Sequence, residues 1–309
     1  MNWLRILAVV VWVFAGNLPA LARVQPIEAG RSWEGQFVPM DLERETWIYK
    51  RIGFAELHLD LYRPDAVEHP PVVVYVHGGG WSGGSKRDAE RWRSAPVVEK
   101  LLADGQAVAA IDYRLAGGAV SLEEQIADVR DALRFLSWNA EELGLQSRGY
   151  ALWGASAGGH LALMAASGFV SEEVPGLDVG MVSRVLAWYP ATDLKRMLRE
   201  NPDTKSRRLA VIGPADVDGV DRWDLLSPLS HAESYDVPLL LVHGDMDRIL
   251  TIEQSESLLN AIHQHGGEAA LVAVKGGVHG FQSAPGDAPL SPTFDEIVER
   301  SWRFLGEAE

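Results

Sequence analysis

The chain has 309 residues, 47% of them hydrophobic and 23% charged, which excludes the disordered and fibrous classes and fits one large α/β domain or two small ones. Lys and Arg number 28 against 43 Asp and Glu, a formal charge of −15; so acidic a surface, with no basic cluster, repels phosphate backbones and excludes nucleic acid as a partner. Cys is absent, which removes disulfides, thiolate nucleophiles and Cys-ligated zinc or iron–sulfur sites.

Residues 1–22 read as a targeting segment. Arg5 supplies a positive start, Ile6 to Gly16 form an apolar run, and Ala20-Leu21-Ala22 gives a small-x-small cleavage pattern before Arg23. The apolar run is shorter than the roughly 20 residues a membrane span requires. The expectation is a cleaved signal peptide, an exported product (periplasmic or secreted) without a stable membrane anchor, and one domain over residues 23–309.

The remainder alternates strands with helices. Ala55 to Tyr62 alternates polar and apolar residues, as a half-buried strand does, and Val72 to Val76 is a continuous β-branched run expected of a strand buried on both faces. Gln106 to Asp112, Tyr150 to Trp153, Arg184 to Trp188, Pro238 to Val242 and Ala269 to Val274 repeat that type. Between them, Leu122, Ile126, Val129, Leu133 and Leu136 recur at helical spacing, and a second amphipathic helix runs from about Thr251 to His265 with Gly266 as its stop. The pattern predicts a mostly parallel sheet with helices on both faces. Residues 191–236, polar and rich in Asp, Arg and Pro, interrupt the rhythm and read as short helices and loops, either a cap-like insertion beside a pocket or a surface excursion.

Three motifs carry chemistry. Gly154-Ala155-Ser156-Ala157-Gly158 lies between a strand and a helix, where a sharp turn exposes a serine Oγ and the glycines avoid collisions with neighbouring chain. A helix N-cap would explain Ser156 alone but not its flanking glycines. His77-Gly78-Gly79-Gly80-Trp81 follows the VVVYV strand; the amides of Gly79 and Gly80, with that of Ala157, suit an oxyanion hole. His77 itself reads as a residue that holds the loop. The third motif comprises Gly244-Asp245-Met246-Asp247 and Gly276-Gly277-Val278-His279-Gly280-Phe281, each just after a late strand. Serine, acid and histidine occur in the chain order of α/β-hydrolases. In that arrangement His279 takes the proton of Ser156 and the carboxylate fixes the imidazole.

His160 and His243 read as structural hydrogen-bonders, and His263 and His265 as residues closing a helix. No His/Asp/Glu cluster has metal-site spacing, and HExxH is absent. Trp81, Tyr113 and Trp188 fall at strand ends on the active edge and are candidate substrate contacts, with a core role as the alternative.

With one strand counted before Ala55, the chain reads as eight strands with Ser156 after the fifth, the acid after the seventh and His279 after the eighth, and so resembles the α/β-hydrolase fold. HGGGW, DYRLA (Asp112 to Ala116), WGASAGGHLA (Trp153 to Ala162), HGDMD and GGVHGF together resemble the bacterial carboxylesterases related to hormone-sensitive lipase. Within these, the similarity is greatest to the bifunctional feruloyl and acetyl-xylan esterase subgroup. That resemblance implies a carboxylesterase without metal or organic cofactor, selects Asp247 over Asp245 as the acid, and points to a small-molecule or oligosaccharide ester carrying an acetyl, feruloyl or short fatty acyl group. DYRLAGG departs from the DYRLAPE form of the hormone-sensitive-lipase relatives, and the 191–236 segment matches no substrate pattern. An amidase or peptidase of the kynurenine-formamidase or prolyl-peptidase kind would use the same three residues. A non-catalytic binding protein on this fold would be expected to have lost one of them.

Overall fold

Strands rich in Val, Ile, Leu and Ala must find cover on both faces, and here each splits its side chains between two cores. In Val72–Val76, the side chains of Val72, Val74 and Val76 enter one hydrophobic cluster and those of Val73 and Tyr75 the other. The computed structural model describes residues 42–307 apart from 92, 117–119, 201–204, 215, 218–219 and 284–288. The expected signal segment, residues 1–22, lies outside the described residues.

The elements in chain order are β1 (Glu45–Ile52), β2 (Ala55–Tyr62), β3 (Val72–Val76), α1 (Ala95–Ala103), β4 (Ala107–Ile111), α2 (Leu122–Trp138), α3 (Ala140–Leu143), β5 (Tyr150–Ala155), α4 (Ala157–Ala166), β6 (Val182–Trp188), α5 (Leu194–Glu200), α6 (Lys205–Ile212), β7 (Asp216–Val217), β8 (Val220–Asp221), α7 (Arg222–Leu225), β9 (Leu239–Gly244), α8 (Glu253–Gln264), β10 (Ala269–Val274) and α9 (Phe294–Gly306). Eight strands form one sheet in the order β1-β2-β4-β3-β5-β6-β9-β10, while β7 and β8 make a separate two-stranded ladder. Pairing is parallel from β4 through β10 and antiparallel at the β1–β2–β4 edge. Helices cover both faces, so the expected α/β-hydrolase sheet is present.

The first cluster joins α2, α4 and α8 to the sheet, and the second joins α1 and α9 to the opposite face. The five periodic residues of α2 are all fully buried; at about 2 kcal/mol per side chain, their burial outweighs the helix's intrinsic propensity. A capping box between Ser121 and Glu124 sets its start. Helix α4 is buried on all sides, and carbonyls at its C-terminus and just beyond accept from Arg130 of α2, which bonds Met164 O, Ala165 O, Ser167 O and Phe169 O.

The strand order positions the site. The chain passes from β3 outward to β4 and then returns to the other side of β3 as β5, so the direction of winding reverses between β3 and β5. At such a switch point the loops beyond adjacent carboxyl ends diverge and leave a crevice. Val76 and Gly154 pair there, which brings the glycine loop after β3 beside the turn after β5.

The polar segment 191–236 folds into α5, α6, the β7–β8 ladder, α7 and a 3-10 helix over Pro228–Ser234. It is tied down at both ends of its first turn. Gln254 of α8 accepts from the amides of Thr192 and Asp193, each at 2.7 Å, and Ser227 Oγ accepts from Leu194 N at 3.0 Å. The Arg222 guanidinium pairs with Glu123 of α2 at 2.5 Å.

Candidate active site

Ser156 occupies the turn between β5 and α4 with φ 55° and ψ −119°, a left-handed conformation that is strained for a residue with a Cβ. The surroundings over-determine it: Ser156 N donates to Trp188 O at 2.8 Å and Ser156 O accepts from His160 N at 3.0 Å. The flanking glycines are required by contact distance. A Cβ on Gly158 would lie 2.1 Å from Val76 O, and one on Gly154 would lie 2.2 Å from Gly158 O.

Three side chains that the sequence spreads over more than 120 positions meet at this turn. Ser156 Oγ lies 3.0 Å from His279 Nε2, and His279 Nδ1 lies 2.6 Å from Asp247 Oδ2. The other carboxylate oxygen, Oδ1, accepts from Ile249 N at 2.8 Å and Leu250 N at 3.0 Å. Burial of Asp247 by itself would raise its carboxyl pKa. Hydrogen bonds from His243, His279 and the Leu250 amide outweigh that effect and hold it well below the usual carboxylate range. Asp245 is exposed, and its Oδ1 instead accepts from Gly276 N at 2.7 Å, linking the acid turn to the histidine loop.

The glycine loop lies across from Ser156. Gly79 (φ 113°), Gly80 (φ 61°) and Trp81 (φ 60°) are all left-handed, and Ser82 N donates to Gly79 O at 3.3 Å to close a tight turn around Gly80 and Trp81. A Cβ on Gly79 would meet Gly83 O at 2.2 Å. Ala157 is the first residue of α4, so its N–H is one of the helix's leading donors at the positive end of the dipole.

Ser156, His279, Gly79, Gly80 and Trp81 line a cavity of about 620 Å³. Met197, Val211, Ile249 and Leu250 give it an apolar side; Ser82, Asp88, Arg91, Arg93 and Ser94 give it a polar one. Met197 and Val211 come from the 191–236 segment, which therefore supplies part of the wall.

Of the three aromatic candidates, only Trp81 lines the cavity. Tyr113 and Trp188 are core residues, and the expectation of substrate contact is corrected for both. Tyr113 donates its hydroxyl to His77 O at 3.0 Å and stacks on the His77 ring at 4.2 Å, so it holds the glycine loop from behind. Trp188 is fully buried, donates to Ser301 Oγ at 3.0 Å and sits between Trp153 and Phe281. Strand alternation aims the last side chain of β6 into the sheet's second core. The next residue, Tyr189, breaks the alternation with φ 37° and turns into the cavity, edge-on to His279 at 4.6 Å. Burial pushes its hydroxyl up to about 12, against the opposing effect of Arg93.

The other histidines are structural. His77 Nδ1 lies 2.7 Å from Gly78 O. His243 is buried between Ser255 Oγ (2.7 Å) and Leu250 O (2.8 Å), with Nε2 also 3.4 Å from Asp247 Oδ2. His160 joins Trp81 Nε1 at 3.1 Å to Leu226 O at 2.8 Å. Among the described residues, no group of three or more His, Asp or Glu is arranged to hold a metal ion.

Similarity to known proteins agrees with this arrangement of strands and loops. The BD-FAE family matches residues 59–262. Isoprenylcysteine alpha-carbonyl methylesterase of Arabidopsis thaliana is 28% identical over 255 residues, covering 78% of this chain and 58% of that protein. Esterase LipC of Mycobacterium tuberculosis is 27% identical over 253 residues, covering 78% of this chain and 60% of that protein. The chain thus spans less than two thirds of the length of these relatives. Among solved structures, propionate-bound esterase 2 of Thermogutta terrifontis superposes with a TM-score of 0.67 at 25% identity, over 85% of this chain and 93% of that one. The family match covers most of the sheet, the glycine loop, the serine turn and the acid turn, and the chain belongs to the BD-FAE family of α/β-hydrolases.

Proposed function

We propose that the protein is a carboxylesterase that works through an acyl-enzyme on Ser156. The observation that carries this reading is the unbroken hydrogen-bonded line Ser156–His279–Asp247, open to the cavity beside Gly79 and Gly80. Ser156 Oγ attacks the ester carbonyl carbon while its proton passes to His279 Nε2. The carbonyl oxygen becomes an oxyanion facing the amides of Gly79, Gly80 and Ala157, where each donor is worth several kcal/mol of barrier. The carbonyl re-forms, the C–O bond to the alcohol breaks, and the alkoxide leaves with the proton from His279. Water then attacks the acyl carbonyl, gives its proton to His279, and releases the acid as Ser156 recovers its proton. Asp247, held ionised, keeps the Nδ1–H tautomer of His279 and stabilises the imidazolium.

A small-molecule or oligosaccharide ester with a short acyl group, acetyl or feruloyl included, is the proposed substrate. The cavity's size suits a compact ligand, its apolar side can take an acyl group, and the Thermogutta terrifontis enzyme holds propionate. The 191–236 segment serves in this reading as a cap. Export is proposed from the 1–22 pattern alone, and N-terminal sequencing of the secreted protein should begin at Arg23. The test of the esterase reading is hydrolysis of nitrophenyl acetate, butyrate and octanoate, methyl ferulate, acetylated xylan and an anilide. Cleavage of esters but not the anilide, lost in Ser156→Ala, supports it; cleavage of the anilide alone would point to an amidase.

A further inference from the structure

Trp81 is a large residue in the left-handed region, directly after Gly79 and Gly80, the two glycines that line the cavity with Ser156. That conformation costs about 1–2 kcal/mol and persists only where neighbours impose it. Three buried hydrogen bonds do so. The carbonyl of Trp81 accepts from Gln125 Nε2 and from Ala116 N, both at 2.8 Å. Its indole N–H donates to His160 Nδ1 at 3.1 Å, with the two rings edge to face at 5.2 Å. Because the Gly79–Ser82 turn is closed through Gly79 O, holding Trp81 constrains the turn that carries the Gly79 and Gly80 amides.

His160 is fully buried on α4, one turn beyond Ser156. An indole can only donate, so Nδ1 must accept; the ring proton is then on Nε2, which donates to Leu226 O at 2.8 Å. Burial pushes its pKa down to about 4, opposed by the bond to Leu226, which keeps this neutral tautomer. Leu226 belongs to the segment that supplies Met197 and Val211 to the cavity.

We propose that His160 is a positioning residue for the oxyanion loop: by accepting from Trp81 and donating to Leu226, it fixes the Gly79 and Gly80 amides and couples them to the inserted segment. This rests on the esterase reading above, with Gly79 and Gly80 as oxyanion donors. Three variants isolate the bonds. His160→Leu removes both, Trp81→Phe removes only the indole donor, and His160→Gln can still accept with Oε1 and donate with Nε2. Each is assayed with nitrophenyl butyrate for kcat and KM, and with a trifluoromethyl ketone, which forms a tetrahedral adduct on Ser156.

His160→Leu and Trp81→Phe should each lower kcat by about 100-fold and weaken the ketone by a similar factor, with KM nearly unchanged, because only the developing oxyanion loses its donors. The double variant should be no worse than the poorer single one, and His160→Gln should recover most of the loss. A folded His160→Leu with unchanged kcat, a loss confined to KM, additive double-variant losses, or His160→Gln as impaired as His160→Leu would each overturn the proposal. If His160→Leu does not fold, Trp81→Phe decides by the same kcat and ketone readouts. Absence of Ser156-dependent ester cleavage in the wild type, measured first, would overturn the esterase reading itself and this inference with it.

Discussion

Replacing Asp247 with Asn tests which carboxylate serves His279 and by what means. Oδ1 of Asp247 receives two backbone N–H groups, from Ile249 and Leu250. An asparagine must therefore keep its carbonyl oxygen there, since the amide nitrogen would put donors against donors. Its NH₂ is then forced into the position of Oδ2, 2.6 Å from His279 Nδ1. A donor at that point makes Nδ1 an acceptor and moves the ring proton to Nε2, where it faces Ser156 Oγ and cannot accept a proton from it. The expected loss in kcat is about ten-thousand-fold, or about 5.5 kcal/mol of barrier, the size a wrong-tautomer acid produces. Asp245→Asn, at an exposed carboxylate whose Oδ1 accepts from Gly276 N, should leave kcat within about twofold. Steady-state kinetics on nitrophenyl butyrate, with circular dichroism to confirm folding, reads both variants. An Asp247→Asn enzyme within tenfold of wild type, or a larger loss for Asp245→Asn, would show that Asp247 does not set the His279 tautomer.

Gly158→Ala should destabilise the protein by at least about 3 kcal/mol, because its Cβ would lie 2.1 Å from Val76 O and overpacking of backbone has no rotamer to relieve it; thermal unfolding measures this, and an unchanged midpoint would contradict the packing at the serine turn. In acid, the unfolded His160, with an ordinary value of 6.5, binds a proton that the buried folded ring refuses until about 4. Its contribution to stability is thus full above pH 6.5 and falls as the pH drops, by about 2 kcal/mol at pH 5. Urea unfolding at pH 7 and 5 should show this, with His160→Gln flattening the difference and an equal slope in both proteins counting against it. Trp188→Phe should cost about 1–3 kcal/mol of stability, because it leaves buried Ser301 Oγ without the indole donor, while KM for nitrophenyl butyrate stays the same; a raised KM would restore Trp188 as a substrate contact.

The strands buried on both faces were legible because continuous apolar runs such as Val72–Val76 have one stable setting, the middle of a covered sheet. Helix α2 was legible because its five apolar residues keep a single period and all reach the core. The order of the strands was less open to reading along the chain. The β3–β5 adjacency that creates the crevice joins segments separated by α1, β4, α2 and α3, and no local pattern records it. The serine turn and the glycine loop announced themselves through glycines, whose need is visible as backbone within 2.1–2.2 Å of the missing Cβ atoms of Gly158, Gly154 and Gly79. The reading of Trp188 as a substrate contact failed for a local reason, and Tyr189 was missed. A strand-end residue looks exposed in sequence, but its alternation continues into the core, whereas the left-handed φ of Tyr189 that aims it at His279 is a product of tertiary packing. The His160–Trp81 bond spans 79 positions; nothing in either neighbourhood marks it. Short elements inside 191–236 lacked a full turn or two of periodicity, so only their existence was readable.

The most direct test of the central claim is labelling of the wild-type protein and of Ser156→Ala by a fluorophosphonate probe, followed by peptide mapping and by nitrophenyl butyrate hydrolysis on the same samples. One labelled peptide containing Ser156 is expected, with loss of hydrolysis in step with labelling, and neither label nor turnover in a folded Ser156→Ala. Label on another residue, or ester cleavage that survives in Ser156→Ala, would contradict it.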